Sequence, residues 1–445
     1  MSYIPHTEIE RQQMLAKIGV TTIEDLFDAV PASHRFPKID IPGPLSEMEI
    51  AAEMQALAEA NEHAGDFALF RGAGAYHHFV PSVVNHLLLR GEFFTAYTPY
   101  QPEMSQGTLQ ATFEYQSMMT ALTGMDAANA SHYDGATSLA ESITMAMDIT
   151  RNKRSKILLS PGIHPQYREV VRTYHQGRNL NITGDDNLQA TVSDLISQID
   201  DQTAMVAIAY PNFFGQIEDL QALAEAAHNA GALMVVVVNP TALGLLKNPG
   251  ELGADIVVGE GQPLGVSLGF GGPYLGFFAT RTDYVRKIAG RIIGETVDHD
   301  GKRAYVMTLR PREQDIRREK ASSNICTNQG LMALAACIYL SLMGKQGMRR
   351  VAELCYHKAH YAANEIEKLD DFSVDRSLPF FHEFVVSCPR PVKEINDKLL
   401  QYGIIGGYDL GKDYPHLQNH MLLCVTEMNS REEIDTLVRV LGERE

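Results

Sequence analysis

Four short apolar runs, separated by helical stretches, constrain the fold of this chain more than any other feature of its sequence. The runs lie at 155–160, 203–212, 232–240 and 254–261. The third reads ALMVVVVNP and is apolar at every strand position, which is typical of a parallel sheet covered on both faces. An amphipathic helical pattern over 218–231 ends at Gly231 and separates the second run from the third. The sequence therefore predicts an α/β domain with a mainly parallel sheet.

The remainder of the chain has a different pattern at each end. Near the N-terminus, Thr22 and Ser46 are each followed by acidic residues and an apolar face, which predicts two capped helices. We expect an N-terminal helical segment over 1–60 and the large α/β domain over 61–325. Linking helices and a small α+β domain are expected over 326–445, because strand-like and helix-like stretches alternate there.

Two long helices are expected at the start of that last region. The first covers about 328–344 and the second about 347–369, with a break between them near Gly344.

Composition excludes several classes of partner. The formal net charge of −17 argues against nucleic acid or an anionic membrane as the main partner. The sequence contains neither a basic, apolar leader nor a run of about 18 apolar residues, so we expect no membrane span. The five cysteines are scattered without zinc or redox spacing, which predicts reduced thiols in a cytoplasmic protein.

A glycine and small polar residues begin a helical stretch at 134–138. Backbone N–H groups at such a helix start can face an anion, so Gly135, Ala136 and Thr137 are candidates for a phosphate cradle. In many pyridoxal phosphate enzymes of the aspartate aminotransferase fold, a similar segment holds the cofactor phosphate. The alternative is an ordinary capped helix that follows a turn.

The region 232–279 looks like the cofactor region of that same fold, but its chemical groups differ. The usual pattern has an Asp after the first strand, a His two residues later, and a Lys after the next strand. Here these positions are occupied by Asn239, Thr241 and Gln262. An amide forms no Schiff base, and Asn supplies no charge to keep a pyridine nitrogen protonated. Lys247, Lys302 and Lys320 stand in polar contexts that predict solvated or interface charges.

Several long segments make the resemblance specific. The stretch YIPHTEIERQQMLAKIGVTTIEDLF near the N-terminus, and the stretches at 94–141, 261–279 and 309–334, resemble the P-protein of the glycine cleavage system. The resemblance covers essentially the whole length. That family exists either as one chain with two homologous halves or as two separate subunits. The length and Gln262 match the N-terminal half, so the resemblance implies subunit 1.

The resemblance implies a function that needs other proteins. Pyridoxal phosphate would be held by a separate subunit 2, which carries the lysine, in a heterotetramer with two copies of each subunit. The complex would decarboxylate glycine, release carbon dioxide and transfer the aminomethyl group to the lipoyl arm of the H-protein. We therefore assign no catalytic residue to this chain, and we expect activity only when it is in complex with subunit 2.

A degenerate subunit can still complete the partner's active site or shape the path of the lipoyl arm. The candidates are polar or aromatic loop residues around two prolines, together with one arginine of a basic cluster. They are Tyr97, Tyr100, Gln101, Glu103, Ser105, Gln106 and Arg312. A packed structural loop, and a solvated face or inter-subunit ion pairs for the cluster at 310–320, are the alternatives.

A metal site is not expected. His77 and His78 are adjacent, but the sequence places no acidic or cysteine companion beside them at ligand spacing.

Two other functions remain open from the sequence. One is an autonomous pyridoxal phosphate decarboxylase with a displaced lysine, and the other is a purely structural subunit that touches no chemistry.

Overall fold

The computed structural model describes residues 5–443, and the chain divides into two compact units. The first ends at Glu62 and the second begins at His63. The first contains two helices, α1 (Glu8–Ile18) and α2 (Glu47–Glu59). Ser46 caps α2 as predicted: its hydroxyl accepts a hydrogen bond from the N–H of Glu49, whose carboxylate accepts one from the N–H of Ser46.

The helix predicted from Thr22 is wrong in type and length. That stretch forms a single 3₁₀ turn over Glu24–Phe27. The Asp25 carboxylate accepts hydrogen bonds from the N–H groups of Thr21 and Thr22, at 2.9 and 2.7 Å, and so closes a local turn. The turn buries none of its own residues, and a helix of this length needs such packing to extend.

The second unit contains most of the secondary structure. Its helices are α3 (Ser82–Leu88), α4 (Gly91–Phe94), α5 (Gln106–Thr123), α6 (Gly135–Ile149), α7 (Pro165–His175), α8 (Val192–Gln198), α9 (Leu220–Asn229), α10 (Gln314–Arg317), α11 (Gly330–Ile366), α12 (Val392–Gln401) and α13 (Arg431–Gly442). Its strands are β1 (Ala68–Leu69), β2 (Ala127–Ala128), β3 (Lys156–Leu159), β4 (Asn181–Thr183), β5 (Thr203–Tyr210), β6 (Leu233–Val238), β7 (Ile256–Glu260), β8 (Gly276–Thr280), β9 (Ile292–Val297), β10 (Arg303–Thr308), β11 (Ser373–Val374), β12 (Glu383–Ser387), β13 (Ile404–Ile405), β14 (Tyr408–Asp409) and β15 (His420–Cys424).

The central sheet has the strand order β2-β8-β7-β6-β5-β3-β4. The four apolar runs form β3, β5, β6 and β7, which pair in parallel as predicted. The pairs β7–β8 and β8–β2 are antiparallel, which the sequence analysis did not foresee. The carboxyl ends of the parallel strands, where ligands of open α/β sheets bind, therefore share one edge.

The parallel strands are buried on both faces, which explains why their sequences do not alternate. Val206 and Val236 belong to the core on one face of the sheet, and their neighbours Met205 and Val235 to the core on the other. Because successive side chains of a strand point to opposite faces, a strand buried on both sides must be apolar throughout.

The C-terminal region adds a second sheet with the order β11-β12-β15-β14. Near the start of the second unit, β1 pairs in parallel with β13, with Ala68 opposite Ile404. The two predicted long helices appear as α11, broken where Gly344 has a non-helical conformation (φ 57°, ψ −176°). The three-part division predicted at 60 and 325 remains a proposal.

Within the described residues, α11 is the one helix whose length and composition would allow it to cross a membrane. The core helix of a soluble protein passes the same test. Buried residues from both halves of α11, such as Tyr339 and Cys355, pack into the interior of the second unit.

The sheet leaves no space for a side chain at Gly259. A Cβ there would lie 2.4 Å from the backbone oxygen of Val238 and 2.5 Å from the Phe277 ring. We expect Gly259→Ala to destabilise the chain by about 1–3 kcal/mol and to lower its melting temperature. Gly107→Ala is the control, because a Cβ at that helical position meets nothing within 4 Å. Equal melting temperatures for the two variants would contradict this account of the packing.

Candidate functional site

Gln262, at the position predicted for the cofactor lysine, follows directly after β7 and is 1% exposed. Its side-chain oxygen accepts a hydrogen bond from the N–H of Tyr76 at 2.9 Å. Its amide nitrogen donates to the backbone oxygens of Tyr76 and Val266, at 2.9 and 2.7 Å. The amide therefore ties one loop to another, and it offers neither a nucleophile nor a free charge.

The predicted phosphate cradle, at the start of α6, is occupied by carboxylates of the chain itself. Asp134 caps the helix by accepting a hydrogen bond from the N–H of Thr137 at 2.7 Å. The N–H of Gly135 donates to the Glu260 carboxylate at 3.0 Å. Ala136 is buried in the same turn. An external phosphate at this helix end would have to displace Glu260 or lie beside its negative charge.

Glu260 is the residue that the sequence analysis missed. Besides the bond from Gly135, its buried carboxylate accepts hydrogen bonds from the N–H groups of Gln262 and Leu275, at 2.9 and 2.8 Å. Burial raises the pKa of Glu260 to about 7, although the three N–H donors act in the opposite direction. An acidic residue at the end of an otherwise apolar strand was the available signal.

Asn239, at the position where the sequence analysis expected an Asp, follows directly after β6. Its side-chain oxygen accepts a hydrogen bond from the N–H of Thr241, and its amide nitrogen is 3.0 Å from Nε2 of His382. Burial and the neighbouring His78 lower the pKa of His382 to about 3, so its neutral ring accepts from the amide. Both polar groups of the Asn239 side chain are thus engaged within the protein.

The cavity among these residues is small. Its volume is about 70 Å³, and it is lined by Tyr76, Tyr167, Asn239, Glu260, His382 and Glu383 among others. Ligand pockets for molecules of cofactor size span roughly 300–1,000 Å³. The volume, the amide of Gln262 and the carboxylate at the helix start do not fit pyridoxal phosphate.

The predicted interface segment lies away from this cavity. Residues 97–106 form a loop, a 3₁₀ turn over Pro102–Met104 and the first residue of α5. Tyr97 is 84% exposed and lines a second cavity of about 230 Å³ with Arg291 and Asn328. Gln101 and Glu103 are also exposed, and Ser105 is half-buried without capping α5.

Arg291 holds the wall of this second cavity together, and its isolated position in the sequence gave no signal of that role. It donates to the side-chain oxygen of Asn328 at 3.2 Å and to the backbone oxygen of Cys326 at 2.8 Å. Its guanidinium and that of Arg310 lie 5.6 and 5.4 Å from the centre of the Tyr100 ring. Tyr100 is therefore fixed between two cations.

Two of the predicted site residues are committed to internal contacts. The Gln106 amide donates to the backbone oxygens of Pro102 and Tyr305 and accepts from the N–H of Tyr305, which joins α5 to β10. Arg312 donates to the backbone oxygens of Ile288 and Gly290, at 2.6 and 2.5 Å. Burial lowers the pKa of Arg312. These contacts position backbone, and the predicted roles toward substrate remain predictions.

Solved structures with little sequence similarity share this fold. A sphingosine-1-phosphate lyase from Burkholderia pseudomallei is 15% identical, with a TM-score of 0.66 over 93% of this chain and 94% of its own. A glutamate decarboxylase from Lactobacillus brevis is 13% identical, with the same TM-score over 94% and 96%. The chain has the architecture of the fold type I pyridoxal phosphate-dependent enzymes.

Sequence comparison narrows that class to one family. The family model described as glycine cleavage system P-protein matches residues 1–441. A probable glycine dehydrogenase (decarboxylating) subunit 1 from Thermomicrobium roseum is 54% identical over 100% of this chain and 99% of its own length. A crystal structure of an inhibitor-bound glycine decarboxylase (P-protein) is 42% identical, with a TM-score of 0.90 and 99% of each chain covered. The chain belongs to the glycine cleavage system P-protein family.

The raised pKa of Glu260 predicts how its replacement changes the response of stability to pH. A carboxyl whose pKa rises from 4.5 to about 7 on folding contributes stability at low pH, and that contribution is lost as pH rises between those values. We expect Glu260→Gln to remove a loss of about 3 kcal/mol between about pH 5 and pH 8. Unfolding by denaturant across this range measures it, and identical slopes for both proteins would refute the assignment.

Proposed function

We propose that this chain is the subunit of a glycine decarboxylase that does not bind the cofactor, and that it works with a separate subunit 2. The complex decarboxylates glycine, releases carbon dioxide and passes the aminomethyl group to the lipoyl arm of the H-protein. Pyridoxal phosphate, held by subunit 2, supplies the electron sink for that chemistry. The names of the relatives and the family resemblance support this assignment.

One observation supports the proposal that subunit 2, and not this chain, holds the cofactor. The hydrogen-bonding groups of the Gln262 amide, at the position predicted for the lysine, are engaged by backbone, and Glu260 accepts from the Gly135 N–H at the predicted cradle. An autonomous decarboxylase would need a lysine and free anion donors in their place. The site supports a subunit whose ancestral pocket is closed by its own side chains.

The second cavity supports a contribution to the partner's active site. The segment at 97–106 presents Tyr97, Gln101 and Glu103 outward, while the Gln106 amide donates to the backbone oxygen of Pro102 and Arg291 lies against the Tyr100 ring. Side chains that are exposed on a fixed backbone can bind a second surface with little loss of conformational freedom. In the assembled enzyme we assign to this segment the orientation of glycine or the lipoyl arm and the exclusion of water.

Arg312 and Tyr100 serve the same site as positioning residues. Arg312 holds the backbone at Ile288 and Gly290, and Tyr100 is fixed between two guanidinium groups. We propose a heterotetramer with two copies of each subunit. We also propose a cytoplasmic location, which agrees with free thiols at all five cysteines.

Reconstitution tests the proposal directly. The chain alone, mixed with pyridoxal phosphate, is expected to give no cofactor absorption band and no borohydride-reducible adduct. Glycine–bicarbonate exchange with lipoylated H-protein should appear only after subunit 2 is added. A reducible adduct on the isolated chain would favour the autonomous enzyme and would show that a lysine other than one at position 262 binds the cofactor.

Replacing Tyr97 distinguishes a site residue from a structural one. We expect Tyr97→Ala to lower exchange activity at least about tenfold in fully assembled complex, because an aromatic wall of the partner's site is lost. Tyr402→Ala is the matched control, since Tyr402 is also an exposed tyrosine but belongs to the C-terminal region. Sedimentation must show intact complex in both cases. Normal turnover with impaired assembly in Tyr97→Ala would instead indicate a purely structural subunit.

A further inference from the structure

Three side chains of the kinds that bind transition metals meet inside the second unit. Nδ1 of His78 lies 2.7 Å from Oε2 of Glu427, and the thiol of Cys355 donates to that same oxygen at 3.3 Å. The nitrogen, sulfur and oxygen ligand atoms all lie within 4.8 Å of one another. His78 has no cysteine or acidic neighbour in the sequence, so only the fold brings these groups together.

Hydrogen bonds connect the chain segments that carry His78, Cys355 and Glu427. The N–H of Phe79 donates to the second oxygen of Glu427 at 2.7 Å. The ammonium of Lys358, one helical turn beyond Cys355, donates to the backbone oxygens of Glu427 and Asn429. The ligand atoms thus come from the loop before α3, the second half of α11 and the turn after β15. Preorganised ligands of this kind favour metal binding.

An ordinary buried ion pair between His78 and Glu427 explains only part of this arrangement. The side chain of His78 is 2% exposed, and among the described residues its Nε2 has no hydrogen-bond partner, so Nε2 can carry the ring proton while Nδ1 binds a metal. The pair also leaves unexplained why a thiol completes the group. Burial raises the pKa of Cys355, so in the absence of a metal the thiol keeps its proton and donates it to Glu427.

We propose that His78, Cys355 and Glu427 bind one zinc-class divalent cation, with water as the fourth ligand. Imidazole, thiolate and carboxylate are the ligands that Zn²⁺ uses in proteins. On binding, the S–H bond of Cys355 and the N–H bond at Nδ1 of His78 break, both protons leave to solvent, and the neutral imidazole keeps its one proton on Nε2. Metal–sulfur and metal–nitrogen bonds form in their place without any change of oxidation state.

The distances from the Glu427 oxygen to the His78 nitrogen and to the Cys355 sulfur are close to those around a bound Zn²⁺. Tetrahedral Zn²⁺ with bonds of about 2.0–2.3 Å places a nitrogen and an oxygen ligand about 3.3 Å apart, and a sulfur and an oxygen about 3.6 Å apart. The observed separations are 2.7 and 3.3 Å. The nitrogen–oxygen distance therefore increases by about 0.6 Å and the sulfur–oxygen distance by about 0.3 Å to admit the ion. The third distance, between Nδ1 of His78 and the Cys355 sulfur, lies within 4.8 Å, and tetrahedral Zn²⁺ needs about 3.6 Å.

The metal site would be linked to Gln262 through the loop that contains Tyr76 and His78. Tyr76, two residues before His78, is bound at both its N–H and its backbone oxygen by the side chain of Gln262. A metal at His78 would fix this loop, the long helix α11 and the C-terminal sheet to one another. We assign to the ion a structural role as a clasp, which does not depend on the proposed function.

Cobalt spectroscopy tests the site in the full-length chain. Cys326 is exposed, so Cys326→Ser is the background in which Co²⁺ is titrated. One equivalent of Co²⁺ should produce a thiolate-to-metal charge-transfer band, and Cys355→Ser should abolish it. Cys388→Ser is the matched control, because Cys388 is also buried but its thiol donates to the backbone oxygen of Val386 and belongs to neither group of candidate metal ligands among the described residues. That variant should keep the band.

A second readout keeps the test valid if a variant folds poorly. In the Zn²⁺-loaded chain, X-ray absorption should detect one sulfur ligand at about 2.3 Å. Zn²⁺ should also raise the melting temperature of the wild type but not of His78→Gln. The exposed group Asp298, His299 and Asp300 contains no sulfur, so metal bound there gives no thiolate band. Absence of a sulfur ligand, or a band that survives in Cys355→Ser, would overturn the proposal.

Discussion

The buried carboxylate of Glu260 joins three parts of the second unit that would otherwise each bury an unpaired backbone N–H. It accepts hydrogen bonds from the start of α6, from the turn that contains Gln262 and from the residue before β8. An unsatisfied buried N–H costs roughly 1–3 kcal/mol, so one side chain removes a large combined penalty. The position of Gln262, the closure of the helix start and the small volume of the cavity all depend on this group.

A pocket that binds a cofactor must keep donors and acceptors free until the ligand arrives, and free buried polar groups destabilise the empty protein. In this chain the polar groups of the pocket are satisfied by internal hydrogen bonds, which stabilises the protein without a ligand. Gln262 pairs with the backbone of Tyr76, whose hydroxyl donates to Glu383, and Glu383 also accepts the N–H of Ala73. These bonds hold the loop at 73–76 in the wall of the cavity that Asn239 and Glu260 also line. Such a pocket is rigid, and rigidity is useful in a subunit that presents a surface to a partner.

The sequence predicted those features that depend on local pattern. The strands β5, β6 and β7 were recognisable because burial on both faces makes every residue apolar, and Ser46 because its capping box spans four residues. The turn at Glu24–Phe27 was wrongly predicted as a longer helix. The Asp25 carboxylate accepts hydrogen bonds from two preceding N–H groups, and helix propensity does not reveal this local contact. The contacts of Glu260 with Gly135, of Arg291 with Cys326 and of His78 with Glu427 join residues more than 30 positions apart, and a single sequence contains no record of such distances.

The pairing of β1 with β13 has a consequence for biosynthesis. Ala68, near the start of the second unit, has its strand partner at Ile404, close to the end of the chain. At about 5–20 residues per second, a ribosome needs tens of seconds to travel from one to the other. During that time the edge of β1 has no strand beside it, and an unpaired edge can pair with another chain. The second unit is therefore completed only after nearly the whole polypeptide has been made, and its early segments are candidates for protection by chaperones.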